Sequence, residues 1–389
     1  MIIRGAARCG KFRAWQWRGP GARLTARPTH RRLPGPGSRP TVPDIHDAAA
    51  TDLDVAAIHA ATLTLDTHVD IPWPDTPDPA GETARRVDFP KMRRGGLGAV
   101  VFIAYLPQGP LTDEGHAAAA ARAEAMLRHI AGTGAGEGRA FCADAAATEG
   151  AKAAGRLAVL AAVENGYAMG EDLSRLAQWR DLGAVYLTLT HNGHNLLADS
   201  AIPRPDLGDG ATRHGGLSAL GRAAIAEMNR VGLLVDVSHA SREAMLQAAA
   251  ASRTPIVATH SCCRALRDHP RNLDDAQLDA LRDVGGLVQI TAVPAFLCNP
   301  PAGGGATHAS VADYVDHVDY AVRRIGIDHV GMSSDFDGGG ALTDWPDAAR
   351  SKALTAELLR RGYTAREIAL LWSGNFLRLM RIAALRAGR

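Results

Sequence analysis

Eight short apolar runs, each followed by a longer helical stretch, constrain this chain more than any other feature of its sequence. The runs are Thr62–Thr67, Ala99–Tyr105, Leu157–Val163, Ala184–Thr190, Leu233–Ser238, Ile256–Thr259, Leu287–Ala292 and Val330–Ser334. Several are continuously apolar or β-branched, the pattern of parallel strands covered on both faces. Helical stretches between them include Leu217–Val231, behind the Gly215-Gly216 pair, and Ala276–Val284. Strict alternation of β and α predicts a parallel sheet, and eight repeats predict a closed (β/α)8 TIM barrel. A doubly wound open sheet is the rival, but no Gly-rich phosphate loop follows any of the runs.

The ends of these runs carry the chemistry. The first leads into His68 and Asp70, the third into Glu164, and the fourth into His191. The fifth leads into His239, the sixth into His260 and the eighth into Asp335. In a TIM barrel the C-terminal strand ends converge on one mouth, where active sites lie. Six of the eight runs thus aim a histidine or a carboxylate at one place.

Imidazole and carboxylate together suit Zn²⁺, Mn²⁺, Fe²⁺ or Co²⁺. Residues two apart on a strand point the same way, so His68 and Asp70 can grip one ion. His239 and His260, from neighbouring strands, can hold a second. Glu164 can bridge the two through its separate oxygens, and two ions ~3.5–4 Å apart lower the pKa of a shared water. Taken singly, each residue has a plainer reading. A strand-end histidine such as His191 is commonly structural, Asp70 can cap a turn, and Glu164 can sit in a buried ion pair. The convergence of five candidate ligands favours the metal centre. His194, His214 and His308 fall in loop-like sequence and read as solvated, while Cys262 and Cys263 read as packing residues.

Composition narrows the class. Hydrophobic residues make up 46% of the 389 and charged residues 22%, enough to bury a large core. Residues 1–43 hold ten Lys or Arg and no Asp or Glu, in Pro/Gly-rich runs that read as a disordered extension. Residues 44–389 form the barrel domain in this reading and are net acidic, which argues against a nucleic-acid surface. Five cysteines without a CxxC spacing argue against a disulfide framework and suit a cytoplasmic protein. No stretch reads as the roughly 20 apolar residues of a membrane span, and no membrane partner is expected.

The motifs also resemble those of the membrane (renal) dipeptidase family, zinc metallopeptidases of the amidohydrolase-like superfamily. The resemblance rests on Leu65-Asp66-Thr67-His68-Val69-Asp70-Ile71-Pro72 and on Tyr186 to Asn192 followed by Ala198-Asp199-Ser200. It rests further on Gly216 to His239, including Val235-Asp236-Val237-Ser238-His239, and on Thr259-His260-Ser261 with Asp268 to Asn272. Gly326 to Gly338 completes it, and it spans about residues 53–380. It implies two Zn²⁺, replaceable by Mn²⁺ or Co²⁺, held by His68, Asp70, Glu164, His239 and His260. It implies hydrolysis of short peptides, including dipeptides with a C-terminal D-residue, by a metal-bridging hydroxide. His191 matches a substrate-contacting residue, Arg271 the anchor for the substrate carboxylate, and Asp335 the proton carrier. Homodimers are common in that family, although no feature here demonstrates one.

Thr67 and Val69 depart from the family motif, Val69 by removing a polar group beside the metals. Asn375, in Ser373-Gly374-Asn375, reads as structural. The C-terminus lacks the hydrophobic tail of lipid-anchored members. Two alternatives stand beside the dipeptidase reading. Other amidohydrolase-type barrels act on amides or cyclic amides, but usually open with His-x-His and often place a lysine between the metals. A non-catalytic metal-binding homologue is the second. The segments Asn192–Gly216 and Pro294–Ala312 are where substrate choice is expected to lie.

Overall fold

A computed structural model describes residues 52–389. The stretch 1–43 and its boundary at residue 44 lie outside them. Nine strands form one sheet: β1 (Leu65–Asp70), β2 (Ala99–Tyr105), β3 (Arg139–Phe141), β4 (Leu157–Glu164), β5 (Ala184–Thr188), β6 (Leu234–Asp236), β7 (Val257–Ala258), β8 (Leu287–Ile290) and β9 (Val330–Met332). The order is β1-β2-β4-β5-β6-β7-β8-β9, with β3 beside β4 and off this path. Every pairing is parallel. The eight runs of the sequence reading are the eight strands of this path. The three-residue β3 is too short for any period to announce it.

The barrel closes without a regular ladder between β9 and β1. Past the end of β9 the Asp335 N–H donates to the His68 carbonyl at 3.0 Å, and the Asp70 N–H donates to the Phe336 carbonyl at 3.0 Å. Asp66 strengthens this seam, its Oδ1 accepting from the backbone N–H of both His68 and Ser334.

The predicted first strand, Thr62–Thr67, starts too early, because its register is set by pairing across this seam and to β2. Asp66 and Val69 pair with Val100 and Phe102, so β1 carries one extra residue there. Such a bulge reverses the alternation of side chains. Leu65 therefore faces the barrel interior, and so do His68 and Asp70 further on. Val69 faces outward, fully buried against an outer layer that includes Val87, Val100 and Phe102. The expectation that Val69 stands beside the metals is thus corrected: alternating with His68 and Asp70, it faces away from the cluster they join.

The floor is apolar. Leu65, Leu234, Val257 and Leu287, each the first residue of its strand, cluster with Phe376, Leu379 and Met380 of the C-terminal helix Asn375–Arg386. The helical run Ala365–Arg386 contains an 18-residue window of mean hydropathy 1.3, which the sequence reading passes over because polar residues interrupt it. Its apolar side chains pack on the barrel floor. Asn375 anchors the run, donating to the carbonyls of Ile327 and Val330 at 2.7 and 2.8 Å, the structural part read from sequence.

Outer helices begin and end where their chemistry dictates. Ala219–Val231 starts at Ser218, whose side chain accepts from the Gly221 N–H, and ends at Gly232 in the left-handed conformation that glycine adopts without strain. Asp275–Asp283 begins with a capping box of Asp274 and Gln277.

Phe376 is 1% exposed at the centre of the floor, whereas Leu385 on the same helix is 76% exposed. Phe376→Ala should therefore cost about 3–5 kcal/mol in urea unfolding, and Leu385→Ala no more than about 0.5 kcal/mol. Equal losses would show that the helix does not plug the barrel.

Candidate metal centre

The strand ends bring the predicted residues together around the Glu164 carboxylate, which is the last residue of β4 and almost fully buried. Its Oε2 lies 3.7 Å from His68 Nε2. Its Oε1 lies 3.3 Å from His239 Nε2 and 3.4 Å from His260 Nε2. The two oxygens thus face different imidazoles, as a bridging carboxylate must. Asp70 Oδ1 stands 3.9 Å from His68 Nε2. A cleft of about 330 Å³ opens above, lined by Asp70, Glu164, His191, His239, His260, Arg271 and Asp335 among others. His68 lies beneath it.

Three of the four histidines have their tautomer fixed from behind. Tyr186 donates its hydroxyl proton to the Thr67 carbonyl, so it accepts from His68 Nδ1 at 2.8 Å. Thr259 donates to Asp236 and accepts from His260 Nδ1 at 3.0 Å. Asn192 Oδ1 accepts from His239 Nδ1 at 3.1 Å. Each Nδ1 carries its proton outward, leaving each Nε2 lone pair aimed at Glu164, the arrangement of metal-ligating imidazoles. His191 is different. Its ring lies 4.2 Å from that of His239 and 4.7 Å from Tyr105, yet neither ring nitrogen bonds to protein among the described residues.

Distance alone divides the donors otherwise than the sequence reading does. It groups His68, Glu164 and His260, and separately Glu164, His191 and His239, with Asp70 in neither set. The chemistry of Asp70 weighs more. Its Oδ1 is buried without any hydrogen-bond partner, a costly state for a carboxylate unless a cation meets it. Burial and the charge of Glu164 push the Asp70 carboxyl well above its usual range. Burial would raise Glu164 too, but His68 and His239 outweigh it and hold Glu164 well below. His239 and His260 are pushed well down by burial, so they stay neutral. His68 is drawn up to about 9, Glu164 overcoming burial, so a proton and a metal ion compete for the gap between them. The donor set fits a metal centre.

Two further groups face the cleft. Burial, with Glu164 adding to it, pushes Asp335 up to about 7 against the pull of His68 and Arg271. Arg271 is 3% exposed, its Nε has no partner, and it makes no ion pair among the described residues. One terminal nitrogen reaches the His260 carbonyl at 3.3 Å, and Phe296 lies 5.5 Å beneath the guanidinium.

The backbone is strained here. His239 (φ 65°), Asp335 (φ 59°), Asp337 (φ 63°) and Asn165 (φ 88°), all at the mouth, are the non-glycine residues with left-handed backbone among those described.

The sequence singles out the proposed ligands but not their supports. Tyr186, Thr259 and Asp236 stand out only within motifs, and Asn192 only for its neighbourhood. The available signal is a polar residue facing inward on an otherwise apolar strand. Asp199 likewise stands out only within a motif. Its carboxylate accepts from the N–H groups of Arg213, His214 and Gly216, tying down the loop beyond His191. His194 is corrected: it is 1% exposed, not solvated, accepting from the Ser200 N–H and bonding the Gly210 carbonyl. His214 bonds the Asn195 carbonyl and is partly buried, and His308 is exposed as read. Cys262 and Cys263 are buried packing residues.

Gly338 supplies a direct test. A Cβ there would meet Asp335 Oδ1 at 2.5 Å and Asp70 Oδ2 at 2.6 Å. Gly338→Ala should lower bound metal per chain, measured by atomic absorption, while circular dichroism stays unchanged. Full metal content in this variant would show that the carboxylates do not depend on that close approach.

Known proteins agree with this architecture. The probable dipeptidase PvdM from Pseudomonas aeruginosa superposes with a TM-score of 0.77 at 29% identity, covering 86% of this chain and 98% of its own. A metallo peptidase from Rhodobacter sphaeroides, solved with a phosphinate mimic of the dipeptide L-Ala-D-Ala, gives 0.71 at 26% identity, covering 83% and 99%. Dipeptidase aclJ from Aspergillus oryzae is 37% identical over 231 residues, 58% of this chain and 51% of its own length. Dipeptidase verJ from Clonostachys rogersoniana is 37% identical over 227 residues, 58% and 55% respectively. The chain thus spans about half the length of the curated relatives it matches. The membrane dipeptidase family (peptidase family M19) matches residues 53–388, and the chain belongs to that family.

Proposed function

We propose that the protein is a metal-dependent dipeptidase, hydrolysing dipeptides that include those with a D-residue at the C-terminal position. The observation that carries this reading is Arg271. A buried guanidinium without an anionic partner lines the same cleft as the imidazole and carboxylate cluster. Such a cation calls for a carboxylate from outside the chain, and its planar fork is suited to accept one through two hydrogen bonds. A peptide anchored by its C-terminal carboxylate within a cleft this small presents its last peptide bond to the cluster. The Rhodobacter neighbour, bound to a mimic of L-Ala-D-Ala, supports the D-residue part of the reading.

His68, Asp70 and Glu164 would hold one zinc ion, and Glu164, His239 and His260 the other, with manganese or cobalt as substitutes. Bound there, the metals supply Lewis acidity and lower the pKa of water. The chain's own groups do the rest. Arg271 fixes the substrate carboxylate. His191, whose ring nitrogens are free of protein partners, hydrogen-bonds the scissile carbonyl oxygen and stabilises the charge that develops on it. Asp335 makes no side-chain hydrogen bond among the described residues. Poised near 7, its carboxylate takes a proton from the attacking water and gives it to the departing amine.

The reading is tested by a panel of L-Ala-D-Xaa and L-Xaa-L-Xaa dipeptides, with metal counted per chain and a chelated control. Cleavage that disappears with the metal, near two ions per chain, is the expected result. Two ions without cleavage of any dipeptide would move the function to other amides or to a non-catalytic role. The residue roles separate kinetically. Asp335→Asn should lower kcat by roughly 10²-fold or more, the scale of general acid–base catalysis, with metal content retained. Arg271→Ala should mainly raise KM. An unchanged KM would remove Arg271 from the carboxylate pocket.

A further inference from the structure

We propose that Asp236 and Thr259 act as one positioning pair that orients a histidine of each ligand set and so governs how tightly the centre holds metal. The inference rests on the metal assignment made above. Asp236 ends β6, is fully buried and makes no ion pair among the described residues. All four of its acceptor positions are used. Oδ1 accepts from the N–H groups of Ser238 and Thr259, each at 3.0 Å. Oδ2 accepts from the hydroxyls of Thr188 at 2.6 Å and Thr259 at 2.7 Å.

This arrangement commits the Thr259 hydroxyl to Asp236, with Ser238 Oγ a more distant neighbour at 3.4 Å. Its hydroxyl has one proton, which it donates to Asp236 Oδ2 at 2.7 Å. The oxygen lone pairs then face His260 Nδ1 at 3.0 Å and His68 Nδ1 at 3.4 Å. A lone pair facing Nδ1 requires an N–H there, which frees Nε2 toward Glu164. One hydroxyl, oriented by one carboxylate, thereby acts on a histidine of each proposed subsite. The control is uneven. His68 has a second acceptor in Tyr186 at 2.8 Å, whereas the described partner of His260 Nδ1 is Thr259.

Thr188 makes a discriminating test possible, since it donates to the same oxygen of Asp236 and, among the described residues, has no hydrogen bond to a histidine. The experiment is zinc uptake by the full chain, measured by competition with a chromophoric chelator, with melting of the metal-free proteins as a folding control. Thr259→Val should weaken the ion associated with His260 by ~10–100-fold, the usual effect of losing such an outer partner. The ion at His68 should weaken less, giving a two-step isotherm. Thr259→Ser should restore the wild-type isotherm, and Thr188→Val should keep it even if its melting temperature falls. An isotherm for Thr259→Val that superimposes on wild type overturns the pair, even where dipeptides are cleaved. So does equal weakening by Thr188→Val, which would reduce the effect to general packing. Weakened binding by Thr259→Val in a protein that cleaves no dipeptide leaves the pair standing and removes the dipeptidase reading instead.

Discussion

The hydrogen bond from the Asp335 N–H to the His68 carbonyl, with its neighbour from Asp70 to Phe336, is the seam on which the remaining structure depends. Strands β9 and β1 share no ladder of their own, so the sheet closes through the backbone of residues that also carry the chemistry. Fold and site are therefore one construction here. A left-handed residue costs ~1–2 kcal/mol for any side chain larger than glycine. At Asp335 that cost is offset locally, because its carbonyl accepts from the N–H groups of Gly338, Gly339 and Gly340. Closing the barrel thus fixes the direction of the Asp335 side chain before any ligand arrives.

What the seam assembles is an electrostatic problem that the protein alone solves only in part. Asp70, Glu164 and Asp335 crowd one mouth, and mutual repulsion adds to burial in raising two of them. Neutral imidazoles offer lone pairs, not charge, and Arg271 is pushed down by burial, to about 10, while remaining cationic. The seat between His68 Nε2 and Glu164 consequently attracts positive charge, whether a proton or a metal ion. That preference follows from where burial places the carboxylates and does not depend on which divalent ion arrives.

Much of this is legible in the sequence, and the reasons are physical. Parallel strands covered on both faces tend to be apolar throughout, so most of the eight show themselves as runs, whereas β1, with Asp66, His68 and Asp70, is placed only by its pairing. Convergence at a barrel mouth turns scattered histidines and carboxylates into one cluster. Other features stay hidden. A bulge is a property of pairing and not of composition, so the switch that puts both Leu65 and His68 on the inner face cannot be read from sequence. The three residues of β3 are too few to show a period. The supports of the ligands, Tyr186, Asn192, Asp236 and Thr259, are ordinary residue types whose function exists only through contacts with distant parts of the chain. His194 reads as solvated because loop-like composition says nothing about a loop folded back upon itself.

The two segments above the cleft differ in how firmly they are held, and this difference places the freedom to vary. The loop after His191 is pinned by Asp199 at its far end, while the Ser200 hydroxyl donates to the His191 carbonyl at 2.6 Å. It also delivers Asn192 to His239, so a change within it reaches a ligand. The turn Pro294–Leu297 delivers Phe296 to the guanidinium of Arg271 and to the ring of His269, with no bond to any proposed ligand. A different side chain at position 296 would reshape the wall beside the Arg271 guanidinium and leave the imidazole and carboxylate cluster intact. Under the proposed function, the freedom to vary therefore falls at Phe296, while the loop after His191 is held constant by the cluster it supports.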